Sequence, residues 1–210
     1  MTSQQPTVFI VDDEPAIRDS LTLLITQEGI QVHTFENAES FLSSMHPLNC
    51  QLKSCIILDV RMPGESGIQL QEALIDRNCL IPIIFLTGYG DIPTSVKAIK
   101  TGAFDFLTKP VTRAKLLTCI QAAFLESENR IEANKHNQDI LTRLSALTKR
   151  EHEVMVLAIQ GCHNKEIASR LGISHRTVEI HRSNIMHKTG ALNLLDLARI
   201  AYEGKLDNSS

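Results

Sequence analysis

Ser54-Cys55-Ile56-Ile57-Leu58-Asp59 decides how the first half of this chain folds. Cys55 to Leu58 are apolar without a break and the run stops on an acid. A strand with no polar position is buried on both faces, as central strands of helix-covered parallel sheets are. Val8-Phe9-Ile10-Val11 repeats the pattern and leads into Asp12-Asp13. Ile81-Pro82-Ile83-Ile84-Phe85-Leu86 repeats it again and leads into Thr87-Gly88.

Working outward, strands are predicted at Val8–Val11, Gln31–Thr34, Cys55–Leu58, Ile83–Leu86 and Phe104–Leu107. Apolar residues at helical spacing predict helices over Ala16–Gln27, Ala38–Ser44, Ile68–Asp76 and Thr94–Lys100. Strict alternation of strand and helix predicts an α/β, flavodoxin-like, doubly wound sheet of five parallel strands. A further helix starts near Thr112 and runs past Glu126. The stretch Glu126–Asp139, ESENRIEANKHNQD, is polar but holds neither Pro nor Gly, so it reads as a helical linker. Ile120, Phe124, Ile131 and Leu141 could contribute to a coiled-coil seam, although the heptads are broken.

From Leu144 onward the pattern is purely helical. Thr148-Lys149-Arg150-Glu151 is a capping box opening a helix to Ile159, which Gly161 ends. Asn164 opens a short helix, Lys165–Leu171, closed by Gly172. Ser174 opens a longer one, to Lys188, closed by Gly190. Asn193 caps a last helix, Leu194–Tyr202, and Asp207–Ser210 reads as a frayed tail. The expected organisation is therefore residues 1–125 as an α/β domain, 126–143 as a helical linker and 144–210 as an all-α four-helix domain.

Bulk properties narrow the function classes. The 210 residues are 43% hydrophobic and 21% charged, an ordinary globular composition. Aromatics are 4% and Trp is absent, which argues against single-strand binding by base stacking. The net charge of −3 divides into −6 over residues 1–141 and +3 over 142–210, so the two halves have different expected partners. No apolar run is long enough to span a membrane. The polar N-terminus does not read as a signal peptide. Five cysteines without CxxC spacing read as free thiols in a reducing cytoplasm.

In an open parallel sheet, ligands bind beyond the carboxyl ends of the strands, where Asp12, Asp13 and Asp59 are expected to stand. Crowded carboxylates repel one another unless a cation sits among them. Mg²⁺, which favours oxygen ligands, suits such a pocket and would neutralise an incoming phosphoryl group. Asp59 would be the nucleophile, giving an acyl phosphate. Lys109 would pair with the acids and then with phosphoryl oxygens. The Thr87 hydroxyl could donate to the same group, and Phe106 could move inward as Thr87 moves. Lys109-Pro110 is a turn in which a cis bond is permitted.

With VDDE (Val11–Glu14), LDVRMPGESG (Leu58–Gly67), LTGYGD (Leu86–Asp91) and FLTKPV (Phe106–Val111), residues 7–125 resemble the receiver domain of two-component response regulators. The resemblance implies Asp59 as phosphoacceptor and Asp12 and Asp13 as metal-site acids for Mg²⁺. It also implies the Arg61 backbone carbonyl as a further ligand, Thr87 and Phe106 as a switch pair, and Lys109 as phosphoryl partner.

A short helix, a glycine turn and a longer helix form a helix-turn-helix, with the second helix expected in the major groove. Val178 and Ile185 would face the core. Arg176, Glu179, Ile180 and Ser183 would face base edges. Lys165, Thr177, His181, Arg182 and Lys188 would reach phosphates. LTKREHEV (Leu147–Val154), NKEIASRLGIS (Asn164–Ser174) and RTVEIHRSNIMHK (Arg176–Lys188) make residues 144–205 similar to the LuxR-type helix-turn-helix. Together the two resemblances imply a NarL/FixJ-type response regulator of the bacterial cytoplasm. A sensor histidine kinase would phosphorylate it. A homodimer would form on phosphorylation and bind double-stranded DNA, acting with RNA polymerase, as an activator by the FixJ-like resemblance. Relief of inhibition by the unphosphorylated receiver is a second route to the same output. A phosphatase using an aspartyl phosphate is disfavoured, since its DxD signature on the first strand is replaced here by adjacent acids. A receiver switched without phosphate is disfavoured by the intact acidic set.

Overall fold

The computed structural model describes residues 5–45, 53–88 and 99–206, and divides them between two compact units, 1–132 and 133–210. In the first unit β1 (Thr7–Val11), α1 (Pro15–Thr26), β2 (Gln31–Phe35), α2 (Ala38–Ser44), β3 (Ser54–Asp59), α3 (Gly67–Asp76), β4 (Ile83–Thr87) and β5 (Asp105–Thr108) follow in order. The helix expected at Thr94–Lys100 falls largely outside the described residues.

The five strands are all parallel in the order β2-β1-β3-β4-β5. Side chains alternate between the faces. Phe9, Val11, Ile56, Leu58, Ile83 and Phe85 point to one side and pack on Phe41 of α2 and Leu70 and Leu74 of α3. Val8, Ile10, Cys55, Ile57, Ile84 and Leu86 point to the other and pack on Leu21 and Ile25 of α1. They also meet Leu116, Ile120 and Phe124 of α4 (Arg113–Ser145). Each such buried aliphatic or aromatic side chain contributes about 1.5–3 kcal/mol. The unbroken apolar runs are thus two interleaved cores, one per face. The edge strands β2 and β5 are the exceptions and carry polar, exposed positions.

α4 begins as a core helix and changes character after Phe124. Its next turns are polar yet anchored. Ser127 Oγ accepts from the Ser54 N–H at the start of β3 (3.2 Å), and Glu128 pairs with Lys53 (2.9 Å). The Lys53 ammonium lies 5.9 Å from the Phe124 ring centroid. Arg130 pairs with Glu126 (2.6 Å) and donates to the Leu80 carbonyl (3.5 Å).

In the second unit α5 (Lys149–Ile159), α6 (Asn164–Leu171), α7 (His175–Thr189) and α8 (Leu194–Leu206) close over a core of Val154, Met155, Ile167, Val178, Ile185, Leu197 and Ile200. The capping box forms: Thr148 Oγ1 accepts from the Glu151 N–H and Glu151 Oε2 accepts from the Thr148 N–H. Gly172 and Gly190, at φ 64° and 71°, end α6 and α7 in the left-handed region that favours glycine. Ser174 caps α7, and Asn193 Oδ1 accepts from the Asp196 N–H (2.9 Å). One expected cap is corrected. α6 begins at Asn164 with His163 before it and no side-chain cap bond. The Asn164 amide oxygen instead accepts from Arg182 (3.0 Å), tying α6 to α7.

Candidate functional site

The register brings the strand-end residues to one edge. Val11 pairs with Leu58, Asp59 with Leu86, and Thr87 with Thr108. Asp12, Asp59, Thr87 and Lys109 therefore leave the sheet side by side, one residue from each of four strands. Lys109 Nζ lies 2.8 Å from Asp12 Oδ2, 3.1 Å from Asp59 Oδ2 and 3.7 Å from Glu14 Oε1. The Lys109 N–H donates to the Thr87 carbonyl (2.6 Å), and the Lys109–Pro110 bond is cis.

Asp59 is 6% exposed. Burial pushes its carboxyl above the usual carboxylate range, against the hydrogen bond and charge of Lys109, and the neighbouring Asp12 adds to the rise. For Lys109, burial disfavours the ammonium, but hydrogen bonds and charge from Asp12 and Asp59 outweigh it and raise its pKa. A partly buried ammonium is thus held by two buried carboxylates, with excess negative charge facing an open cleft of about 350 Å³. Asp13, Glu14, Arg61 and Thr87 line that cleft.

The acids are not arranged quite as the sequence suggests. Carboxylate oxygens of Asp12, Glu14 and Asp59 lie within 4.8 Å of one another, and Asp13 lines the cleft beside that set. The cause is local. Asp12 Oδ1 accepts from the Glu14 N–H (2.9 Å), a tight turn that swings Glu14 back over the pocket. Glu14, the last residue of VDDE, joins the acidic cluster through this turn. Three oxygen donors this close, opening on a cleft with room for water, fit a hard divalent cation such as Mg²⁺. The Arg61 N–H donates to Asp59 Oδ1 (3.4 Å), so the chain after β3 folds over the acid.

Gly67 fixes the same turn. It opens α3 behind Ser66, whose hydroxyl and Gln69 form a second capping box. A Cβ on Gly67 would run into the Asp59 carbonyl. Phe106 is half-buried beside Phe85, with ring centroids 6.1 Å apart.

In the second unit, Val178 and Ile185 of α7 are buried. Arg176 and Ser183 are exposed, and Ile180 is 49% exposed, a large apolar side chain left in water. Arg176 pairs with the partly exposed Glu179 (3.1 Å). Lys165 is exposed, while the Thr177 and Ser174 hydroxyls bond each other (2.8 Å). His181 is half-buried, and its Nδ1 has no hydrogen-bond partner among the described residues. Lys188 departs from the expectation of a phosphate contact. Its ammonium lies 2.7 Å from Glu151 Oε2, on an acid that is 3% exposed. A residue in the last turn of α7 reaches inward because a buried carboxylate requires a cation.

With this geometry in view, the comparisons with known proteins decide the family. Residues 8–121 match the response regulator receiver domain, and residues 145–201 match bacterial regulatory proteins of the luxR family. This chain is a response regulator of the NarL/FixJ family. It is 42% identical to the transcriptional regulatory protein TdiR of Thauera aromatica over 97% of this chain and 88% of that protein. It is 38% identical to the transcriptional regulatory protein FixJ of Bradyrhizobium diazoefficiens over 96% of this chain and 97% of that one. Among solved structures, the response regulator StyR superposes with a TM-score of 0.81 at 40% identity, covering 95% of this chain and all of StyR. A NarL/FixJ response regulator with a LuxR-type DNA-binding domain is a transcriptional regulator. Among the described residues no helix is long and apolar enough to cross a membrane.

Proposed function

We propose that Asp59 accepts a phosphoryl group from a sensor histidine kinase and that this modification controls sequence-specific DNA binding. The observation that carries the reading is the Asp12–Lys109–Asp59 arrangement, a buried carboxylate 3.1 Å from an ammonium at the mouth of an open acidic cleft. Asp12, Asp13, Asp59 and the Arg61 carbonyl would hold Mg²⁺, with Glu14 close enough to join them. Bound there, the ion supplies positive charge to the incoming phosphoryl oxygens. An Asp59 carboxylate oxygen attacks phosphorus, the bond to the kinase histidine breaks, and an acyl phosphate forms. Lys109 exchanges its bond to Asp59 for one to a phosphoryl oxygen. Thr87 turns its hydroxyl toward the same group, and Phe106 moves into the space released.

The rearranged face supports a homodimer, which brings two α7 helices to neighbouring half-sites on double-stranded DNA. Arg176, Glu179, Ile180 and Ser183 read bases there, while Lys165, Thr177, His181 and Arg182 hold phosphates. In this reading residues 1–125 act as receiver, 126–143 as linker and 144–210 as DNA-binding domain. The bound regulator recruits RNA polymerase as an activator. Its chemistry is self-modification in the cytoplasm, not turnover of an external substrate.

Intact mass after incubation with acetyl phosphate, with and without Mg²⁺, tests the first step on wild type and Asp59→Asn. One added phosphoryl group requiring both Mg²⁺ and Asp59 is the expected result. Failure to gain mass, together with failure to bind beryllofluoride, would overturn the phosphoryl switch.

A further inference from the structure

The last turns of α4 belong to the core of the DNA-binding unit. Between Ala133 and Ser145 the sequence offers few apolar side chains, and Ile140 and Leu144, four residues apart, take places in or against that core. They seat on Gly204 of α8, where an added methyl would overlap Leu144 Cδ1 and come within 3.3 Å of Ile140 Cγ2. His136 faces Glu203 one turn earlier (3.5 Å). The seat brings Arg143 to the far end of α7. Its Nη1 donates to the Thr189 carbonyl at 3.4 Å and lies 3.6 Å from where a Cβ on Gly190 would stand.

That end of α7 has negative character, because its last carbonyls have no partner within the helix. The Thr189 hydroxyl bonds the Ile185 carbonyl (2.7 Å), and the Gly190 N–H bonds that of Met186 (2.9 Å). Arg143 takes the Thr189 carbonyl and adds a full positive charge where the helix dipole favours it.

We propose that Arg143 is a positioning residue for α7, so that the seating of the α4 terminus on Gly204 sets the pose of the groove-reading helix. This rests on the reading of α7 as the helix that contacts bases. Through Arg143 the linker is a functional part of operator recognition, not a spacer.

The test uses the full chain and a duplex enriched by the wild-type protein from a random-core library, beside a scrambled duplex of equal length. Arg143→Ala should weaken binding to the enriched duplex about fivefold and leave scrambled-duplex binding within about twofold. Arg143→Lys, which keeps the charge at the helix end, should recover most of the loss. Gly204→Leu, which lifts α4 without touching Arg143, should reproduce the Arg143→Ala pattern. The thermal midpoint of Arg143→Ala should fall by only a few degrees, leaving the domain folded at the temperature of the binding assay, which separates positioning from unfolding. Unchanged specific binding in Arg143→Ala overturns the proposal. Equal loss on both duplexes with a flatter salt dependence also overturns it, since Arg143 would then be a direct phosphate contact. If Glu179→Ala and Ser183→Ala leave the enriched sequence unchanged, the assignment of α7 as reader fails instead, whatever Arg143 does.

Discussion

Lys188 and Glu151, 37 residues apart in sequence, form an ion pair on a buried carboxylate that joins the last turn of α7 to the first turn of α5. The same Glu151 Oε2 also accepts from the N–H and hydroxyl of Thr148. One carboxylate thus closes a capping box and anchors α7. Removing its cation leaves a buried charge uncompensated. Lys188→Ala should destabilise the DNA-binding unit by about 1–3 kcal/mol in urea unfolding. The salt slope of DNA binding should stay unchanged; a fall of about one in that slope would return Lys188 to the phosphate contacts.

Acid should act on the same pair. The Lys188 hydrogen bond, opposed by burial and reinforced by Thr148, holds the Glu151 carboxyl down at about 2, against an ordinary 4.5. A carboxyl depressed in the folded state contributes stability that is full above its unfolded pKa and fades as pH falls toward the folded one. Thermal midpoints of the DNA-binding unit should therefore decline between pH 4.5 and pH 2. In Glu151→Gln that part of the decline should vanish.

Gly67→Ala should damage the Asp59 end of β3, because the new methyl meets the Asp59 backbone carbonyl, which cannot rotate away. A destabilisation of about 1–3 kcal/mol is expected. A lower yield of phosphoryl adduct from acetyl phosphate should accompany it. Normal stability with normal phosphorylation would show that α3 can shift at no cost.

Lys109→Met removes the ammonium that holds Asp12 and Asp59 together. The two acids then repel, and Asp59, deprived of the group that lowers its pKa, should titrate still higher. Added Mg²⁺ should raise the thermal midpoint of the variant more than that of wild type, since the ion replaces the missing charge. Equal shifts in both proteins would argue against a shared anionic site.

Ile180→Ala should alter the sequence enriched from a random library more than it alters affinity for scrambled DNA. A thymine methyl is the expected partner of this exposed side chain. An identical enriched sequence would remove Ile180 from the groove.

The sheet was legible because its interior strands are apolar without a break between their end residues, at Val8–Val11, Cys55–Leu58 and Ile83–Leu86. Cys55–Leu58 admits no other placement, and the acid that ends it must then stand at the ligand edge. The helix-turn-helix was legible because each helix end carries its own local signal, as at Ser174 and Gly190. Groups whose partners are distant in sequence were not. Nothing near Lys188 announces Glu151, and nothing near Asn164 says that Arg182 will take its amide in place of the helix end. Glu14 was hidden differently, by a turn at Asp12 that redirects a residue already in the motif. Gly67 is small because of a carbonyl eight residues earlier, a reason visible only in three dimensions.

The mooring of α4 on the start of β3 bears on how this protein can be cut into pieces. A receiver fragment ending at Leu125 would lose the Ser127 hydroxyl bonded to the fully buried Ser54. It would also lose Glu128 from Lys53 and Arg130 from the Leu80 carbonyl. The buried Ser54 contact is worth about 1–3 kcal/mol, and the exposed Lys53 pair at most about 1 kcal/mol. An isolated receiver that retains the stability of the intact protein must therefore extend through Arg130, six residues beyond Phe124, where its apolar helix face ends.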